Sequence, residues 1–159
     1  MKLFFLRHGL AGDREEWKNN DFKRPLTKEG RARMKREAAN IAELKVEPDL
    51  ILTSPLVRAY QTAEIVAKEL DLMDKLVKDD RLAPGFRQSE LFKIVRAHSD
   101  ASALLLVGHE PDFSAVITYL IGGGRVTCKK GSLAYVDLPD SSHLRGELIW
   151  LIPPKMLAL

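Results

Sequence analysis

The chain has 159 residues, enough for one domain with a core that needs no cross-links. It is 45% hydrophobic and 30% charged, which excludes a disordered chain. Its 25 Lys and Arg against 22 Asp and Glu leave a formal charge of +3, too mild to mark a nucleic-acid binder. The densest basic run, KEGRARMKRE over residues 28–37, contains two acids and no aromatic residue for base stacking, so it reads as a solvated helix face. A single cysteine, Cys128, excludes an intrachain disulfide, suits a reducing compartment and reads as a packed thiol.

The first element is KLFFL, a short apolar run with the length of a buried strand. It stops at Arg7, short of the roughly 7–15 apolar residues of a signal peptide core. No stretch approaches the roughly 20 apolar residues that span a bilayer, so a cytoplasmic protein without a membrane partner is expected. Residues 13–26 are polar and read as a loop. Thr27 then caps a helix expected to run to about Lys45, with Met34, Ala38, Ile41 and Ala42 on its core face.

DLILTS, residues 49–54, is the second strand, and Ser54-Pro55 is expected as the N-cap and first turn of the next helix. That helix carries Ala59, Ala63, Val66, Ala67 and Leu70 along one stripe. A weak strand near Leu76 to Lys78 leads to the loop DDRLAPGF and a helix from about Ser89 to His98. ALLLVG, residues 103–108, is the third clear strand, followed by a helix opened by Pro111 and ended by Gly122 to Gly124. SLAYVDL and ELIWLI close the chain as two strands. This order implies an α/β fold: a mostly parallel sheet covered by helices, antiparallel toward the C-terminus.

Ligands of such sheets bind at the carboxyl ends of the strands. The first strand ends in Arg7-His8-Gly9, the second in Thr53-Ser54-Pro55 with Arg58 just beyond, and the third in Gly108-His109-Glu110. Taken singly, each of these residues has a plain structural use. Together, Arg7, His8, Arg58 and His109 are a self-repelling set that an anion would complete, and forked arginine donors suit a phosphoryl group. Two histidines could instead hold a metal, but the neighbouring arginines disfavour one. His98 and His143 lie apart and read as structural or solvated. A neutral imidazole, tied by one nitrogen to a backbone carbonyl, is a good nucleophile toward phosphorus through the other. Attack would form a phosphohistidine that water hydrolyses, with no metal or cofactor required.

The blocks FLRHG, LTSPLVRAYQTAEIV and LLLVGHEPDF resemble the histidine phosphatase superfamily, the phosphoglycerate-mutase-like proteins. The resemblance implies a three-layer α/β/α sandwich around a mixed sheet, spanning residues 1–159 as one domain. It makes His8 the phosphorylated histidine and Arg7, Arg58 and His109 its catalytic and phosphate-binding partners. Arg24 is expected at the pocket lip or in a surface ion pair, and Ser54 joins the expected substrate-binding set.

The block KRPLTKEG, residues 23–30, is similar to one in the SixA-type phosphohistidine phosphatases. Many relatives that cleave esters carry a longer insertion with an acid for the leaving alkoxide. Here that region is only DDRLAPGFRQSEL, leaving Asp80, Glu90 and Glu110 as candidate acids. A phosphorylated imidazole needs such an acid less than an alkoxide does. The expected function is therefore hydrolysis of phosphohistidine on a protein, a phosphotransfer domain or phosphocarrier. The alternatives are a small-molecule phosphomonoesterase and a non-catalytic phosphate-binding module. One position departs from the family's pattern: Leu10 stands where many relatives have a polar residue.

Overall fold

The computed structural model describes residues 1–159. The elements in chain order are β1 (Lys2–Arg7), α1 (Lys28–Glu43), β2 (Leu50–Thr53), α2 (Val57–Glu69), β3 (Leu76–Lys78), α3 (Gln88–Ala97), β4 (Ala103–Gly108), α4 (Asp112–Leu120), β5 (Leu133–Asp137), β6 (Glu147–Ile152) and the short α5 (Pro154–Leu157). They form one six-stranded sheet of order β3-β2-β4-β1-β5-β6. β3, β2, β4 and β1 run parallel, while β5 and β6 are antiparallel additions at one side. No helix is long and apolar enough to cross a membrane.

Alternation along β1 explains the layering. Leu3 and Phe5 join α3 and α4 residues such as Leu91, Ile94, Phe113 and Ile117 in one core cluster. Phe4 and Leu6 face the other way, against Met34, Ala38 and Ile41 of α1 and Ala59, Ala63 and Val66 of α2. Both sheet faces are therefore covered, and a continuous apolar run is what a strand in that position requires.

Several boundaries shift from those expected. α1 ends at Glu43 rather than Lys45, because Leu44 closes the helix and Lys45 takes a left-handed φ of 53°. α2 begins at Val57, with Leu56 rather than Ser54 as its N-cap. Ser54 is already committed: its Oγ accepts from the Leu56 N–H at 3.3 Å and also bonds His109. α4 opens at Pro111 as expected, with Pro111 as its N-cap and Asp112 its first helical residue. Glu37, expected on a solvated face, is only 1% exposed and faces inward with an Arg33 hydrogen bond at 2.8 Å.

The register brings the strand ends level. Arg7 of β1 pairs with Gly108 of β4, and Thr53 of β2 with Val107. The next residues, His8, Ser54 and His109, thus emerge at one edge of the sheet.

Candidate active site

A cavity of about 580 Å³ opens at that edge, lined by Arg7, His8, Arg24, Arg58 and His109 among others. Five cations line it against the three carboxylates of Asp13, Asp21 and Glu110. The sequence placed Arg7, His8, Arg58 and His109 at three strand ends of one sheet edge, and the structure brings these four side chains to one pocket. The imidazoles of His8 and His109 lie 5.2 Å apart between ring centroids.

His8 is 5% exposed and its tautomer is fixed by its neighbours. Its Nδ1 lies 2.8 Å from the Gly9 carbonyl oxygen, which can only accept, so Nδ1 carries the proton. Its Nε2 then holds the lone pair and accepts from Arg58 Nε at 3.3 Å. Burial, and then the charges of Arg58 and Arg7, hold the His8 pKa down at about 3 against the Gly9 hydrogen bond, so the ring is neutral at pH 7. The loop behind it is braced by Thr62, whose Oγ accepts from the Gly9 N–H at 3.0 Å and donates to the Arg58 carbonyl at 2.8 Å.

His109 is 4% exposed, and its pKa is likewise held down at about 3, first by burial and then by Arg58. Its Nε2 bonds Ser54 Oγ at 2.7 Å. Ser54, expected to touch substrate, does not line the cavity; it is fully buried and acts on the imidazole from outside the pocket. Only three buried side-chain atoms lack a hydrogen-bond partner: Arg7 Nε, His109 Nδ1 and Ser132 Oγ. Two of them belong to pocket residues. Such groups cost free energy unless an acceptor or donor meets them, and a tetrahedral oxyanion supplies several acceptors at once.

Sequence reasoning missed Asp21, which organises the arginines. Its carboxylate accepts from Arg24 Nε at 2.8 Å and from Arg58 Nη2 at 3.0 Å, and its carbonyl accepts from Arg58 Nη1 at 2.9 Å. Burial alone would raise the Asp21 pKa, but the Arg24 and Arg58 bonds and charges outweigh it and hold the carboxyl below its usual range. The available signal was the Asp21-x-x-Arg24 spacing in a loop read only as polar. Arg24 proves to be both a pocket residue and an ion-pair partner, and it also donates to the Gly12 carbonyl. Arg7 donates through Nη1 to the Cys128 carbonyl at 2.8 Å. The Cys128 thiol is buried and pushed up to about 11, as a packed thiol would be.

Of the three candidate acids, only Glu110 lines the cavity. Its carboxylate accepts from Ser114 N at 3.0 Å and Ser114 Oγ at 2.6 Å, stitching the first turn of α4. Asp80 is exposed at the start of a single-turn helix, and Glu90 bonds Ser89 and Lys93 on α3. Neither lines the pocket, nor do His98 and His143, whereas Leu10 does.

A doubly covered α/β sheet of this order, with the site at its carboxyl edge, is the phosphoglycerate-mutase-like fold. The chain belongs to the histidine phosphatase superfamily (branch 1), whose family model matches residues 3–84. It is similar over 98% of both chains to the structure of the protein histidine phosphatase SixA complexed with tungstate, with 27% identity and a TM-score of 0.86. An uncharacterized protein of Picosynechococcus sp. is 36% identical over 99% of both chains. A shorter match, 39% identical over 43% of this chain and 21% of the other, is to an 8-oxo-(d)GTP phosphatase of Mycolicibacterium smegmatis.

Proposed function

We propose that this chain, as one histidine phosphatase domain, hydrolyses phosphohistidine on a protein through a phosphorylated His8. The observation that carries the reading is the His8 tautomer: Nδ1–H is tied to the Gly9 carbonyl, and the Nε2 lone pair stands among cations. Nε2 forms the new N–P bond in line while the P–N bond of the substrate breaks. The electron pair goes to the departing imidazole, which leaves neutral once it takes a proton. Water then attacks phosphorus, frees inorganic phosphate and restores His8.

Arg7, Arg58 and His109 hold the equatorial oxygens, with Arg24 at the pocket wall. Ser54 orients His109, and Asp21 orients the two arginines. Developing charge is met by groups already in place, which is where most of the rate arises. No metal or cofactor enters these steps. Similarity to the protein histidine phosphatase SixA over nearly the whole chain supports the same reading.

The leaving group argues for a P–N substrate. Of the acids Asp80, Glu90 and Glu110, the one that lines the pocket, Glu110, is already bonded twice to Ser114. Its place in the lining nevertheless favours one second reading, a small-molecule phosphomonoesterase in which Glu110 protonates the alkoxide.

Turnover of a phosphohistidine-bearing phosphocarrier, measured against sugar phosphates, tests the choice. The proposal expects kcat/KM at least ~100-fold higher for the P–N substrate, the rate a missing general acid withholds from esters. Equal or reversed values, with ester turnover abolished in Glu110→Gln, would establish the second reading instead.

A further inference from the structure

We infer that Arg14 and Lys130 form a second anion subsite at the pocket rim, which grips a carboxylate neighbouring the phosphorylated residue of a protein substrate. The inference rests on the phosphohistidine reading and adds the chemistry that surrounds the target. Of the five cations that line the cavity, Arg24 and Arg58 are paired with Asp21, and Arg7 is bonded to the Cys128 carbonyl. Arg14 and Lys130 form no ion pair and no side-chain hydrogen bond with the protein. Both are exposed, so both heads are available to a ligand that reaches the mouth of the pocket.

Lys130 is held in this place by the backbone. The Gly131 N–H donates to the Arg7 and His8 carbonyls at 3.1 and 3.2 Å, and Arg7 N–H donates to the Ser132 carbonyl at 3.1 Å. The turn before β5 is thereby clamped to the residues that carry the site, and Gly131 takes the positive φ of 85° that this turn needs. Partial desolvation of the ammonium, then the charges of Arg7, Arg24 and Arg58, lower the Lys130 pKa against the opposing charge of Asp13, as expected for a group that shares the pocket's field. Arg14 stands in the loop after β1, two residues beyond Gly12, whose carbonyl is held by Arg24.

Two rim cations beside a phosphate pocket favour a substrate with a second negative charge a few ångströms from the first. The lining has no aromatic ring apart from the two imidazoles, so a nucleobase finds no stacking surface. An aspartate or glutamate side chain on the substrate protein meets the requirement, and a second phosphate on a small molecule shares its chemistry.

The test compares kcat/KM for two synthetic phosphohistidine peptides, the target flanked by aspartates in one and by alanines in the other. Wild type is expected to prefer the aspartate peptide about five- to tenfold, the scale of one or two partly exposed ion pairs. The ratio, which general damage to the fold leaves alone, should fall to near one in the Lys130→Ala/Arg14→Ala double variant and below one in Lys130→Glu. No preference in wild type, or one that survives the double variant, overturns the subsite. If neither peptide is turned over, the phosphohistidine reading fails by itself. The subsite is then judged on fructose 1,6-bisphosphate against fructose 6-phosphate: a preference lost in the double variant keeps the subsite and assigns the second anion to a small molecule. A ratio unmoved by the double variant there overturns it as well.

Discussion

Arg58 Nε stands 3.3 Å from His8 Nε2, while the other two nitrogens of the same guanidinium are held by Asp21. One planar fork thus joins the proposed nucleophile to a carboxylate in the loop after β1. A lysine cannot reproduce that geometry, since its single ammonium serves as a point charge. Arg58→Lys is expected to lower kcat/KM roughly 30-fold, about 2 kcal/mol of charge-assisted hydrogen bonding. Steady-state kinetics that left the variant within a factor of two of wild type would remove Arg58 from the phosphate site.

Both imidazoles are neutral well below the usual histidine range, with pKa values held at about 3. Proton NMR of the two rings should therefore show no titration between pH 5 and 8. The sign for stability follows from linkage: the unfolded rings bind protons near 6.5 and the folded ones do not. Stability is therefore present above pH 6.5 and is lost as pH falls toward 3. A midpoint near 6.5 for either pocket histidine would contradict this account of the site.

Glu37 carries the opposite sign. Burial raises its pKa from 4.5 to about 7 despite the Arg33 bond and the charges of Arg33 and Arg36. The folded state binds this proton more tightly, so the contribution is full below pH 4.5 and is lost as pH rises through 7. Glu37→Gln should gain stability relative to wild type, by about 1–3 kcal/mol, between pH 5 and pH 8. Urea denaturation at the two pH values measures the difference. The carboxylate also packs against Gly131, leaving no room for a Cβ there.

Thr62 is a polar residue inside the alanine stripe of α2, fully buried, and it holds the Gly9 N–H. Thr62→Val keeps the shape and removes the acceptor, leaving a buried donor unpaired at a cost of about 1–3 kcal/mol. Thermal unfolding should register the loss. Turnover should fall too, because Gly9 also supplies the carbonyl that fixes the His8 tautomer. Loss of stability with full retention of kcat would show that this brace supports the fold alone.

Much of this was legible in the residues themselves. Unbroken apolar runs marked β1 and β4 as doubly covered strands, and the strand-end rule put Arg7, His8, Arg58 and His109 at one edge. What stayed hidden depended on contacts between loops. Asp21 lies in a polar segment without periodicity, and only folding shows that its two oxygens meet Arg24 and Arg58. Ser54 looked like a helix cap because Ser-Pro is a common helix start; its hydroxyl is instead drawn to His109, and the helix waits for Val57. Glu37 looked solvated among Lys35 and Arg36, but the helix turns it inward beside Met34 and Ala38. Arg14 and Lys130 are ordinary surface cations until the turn at Gly131 is clamped to Arg7 and His8.

The most direct measurement is a rapid quench in alkali after mixing the enzyme with a phosphodonor labelled in its phosphoryl group, followed by mapping of the bound label. The account predicts an acid-labile, alkali-stable phosphoryl group on His8, formed in a burst, turned over by water and absent in His8→Ala. Label on another residue, or undiminished turnover in His8→Ala, would contradict it.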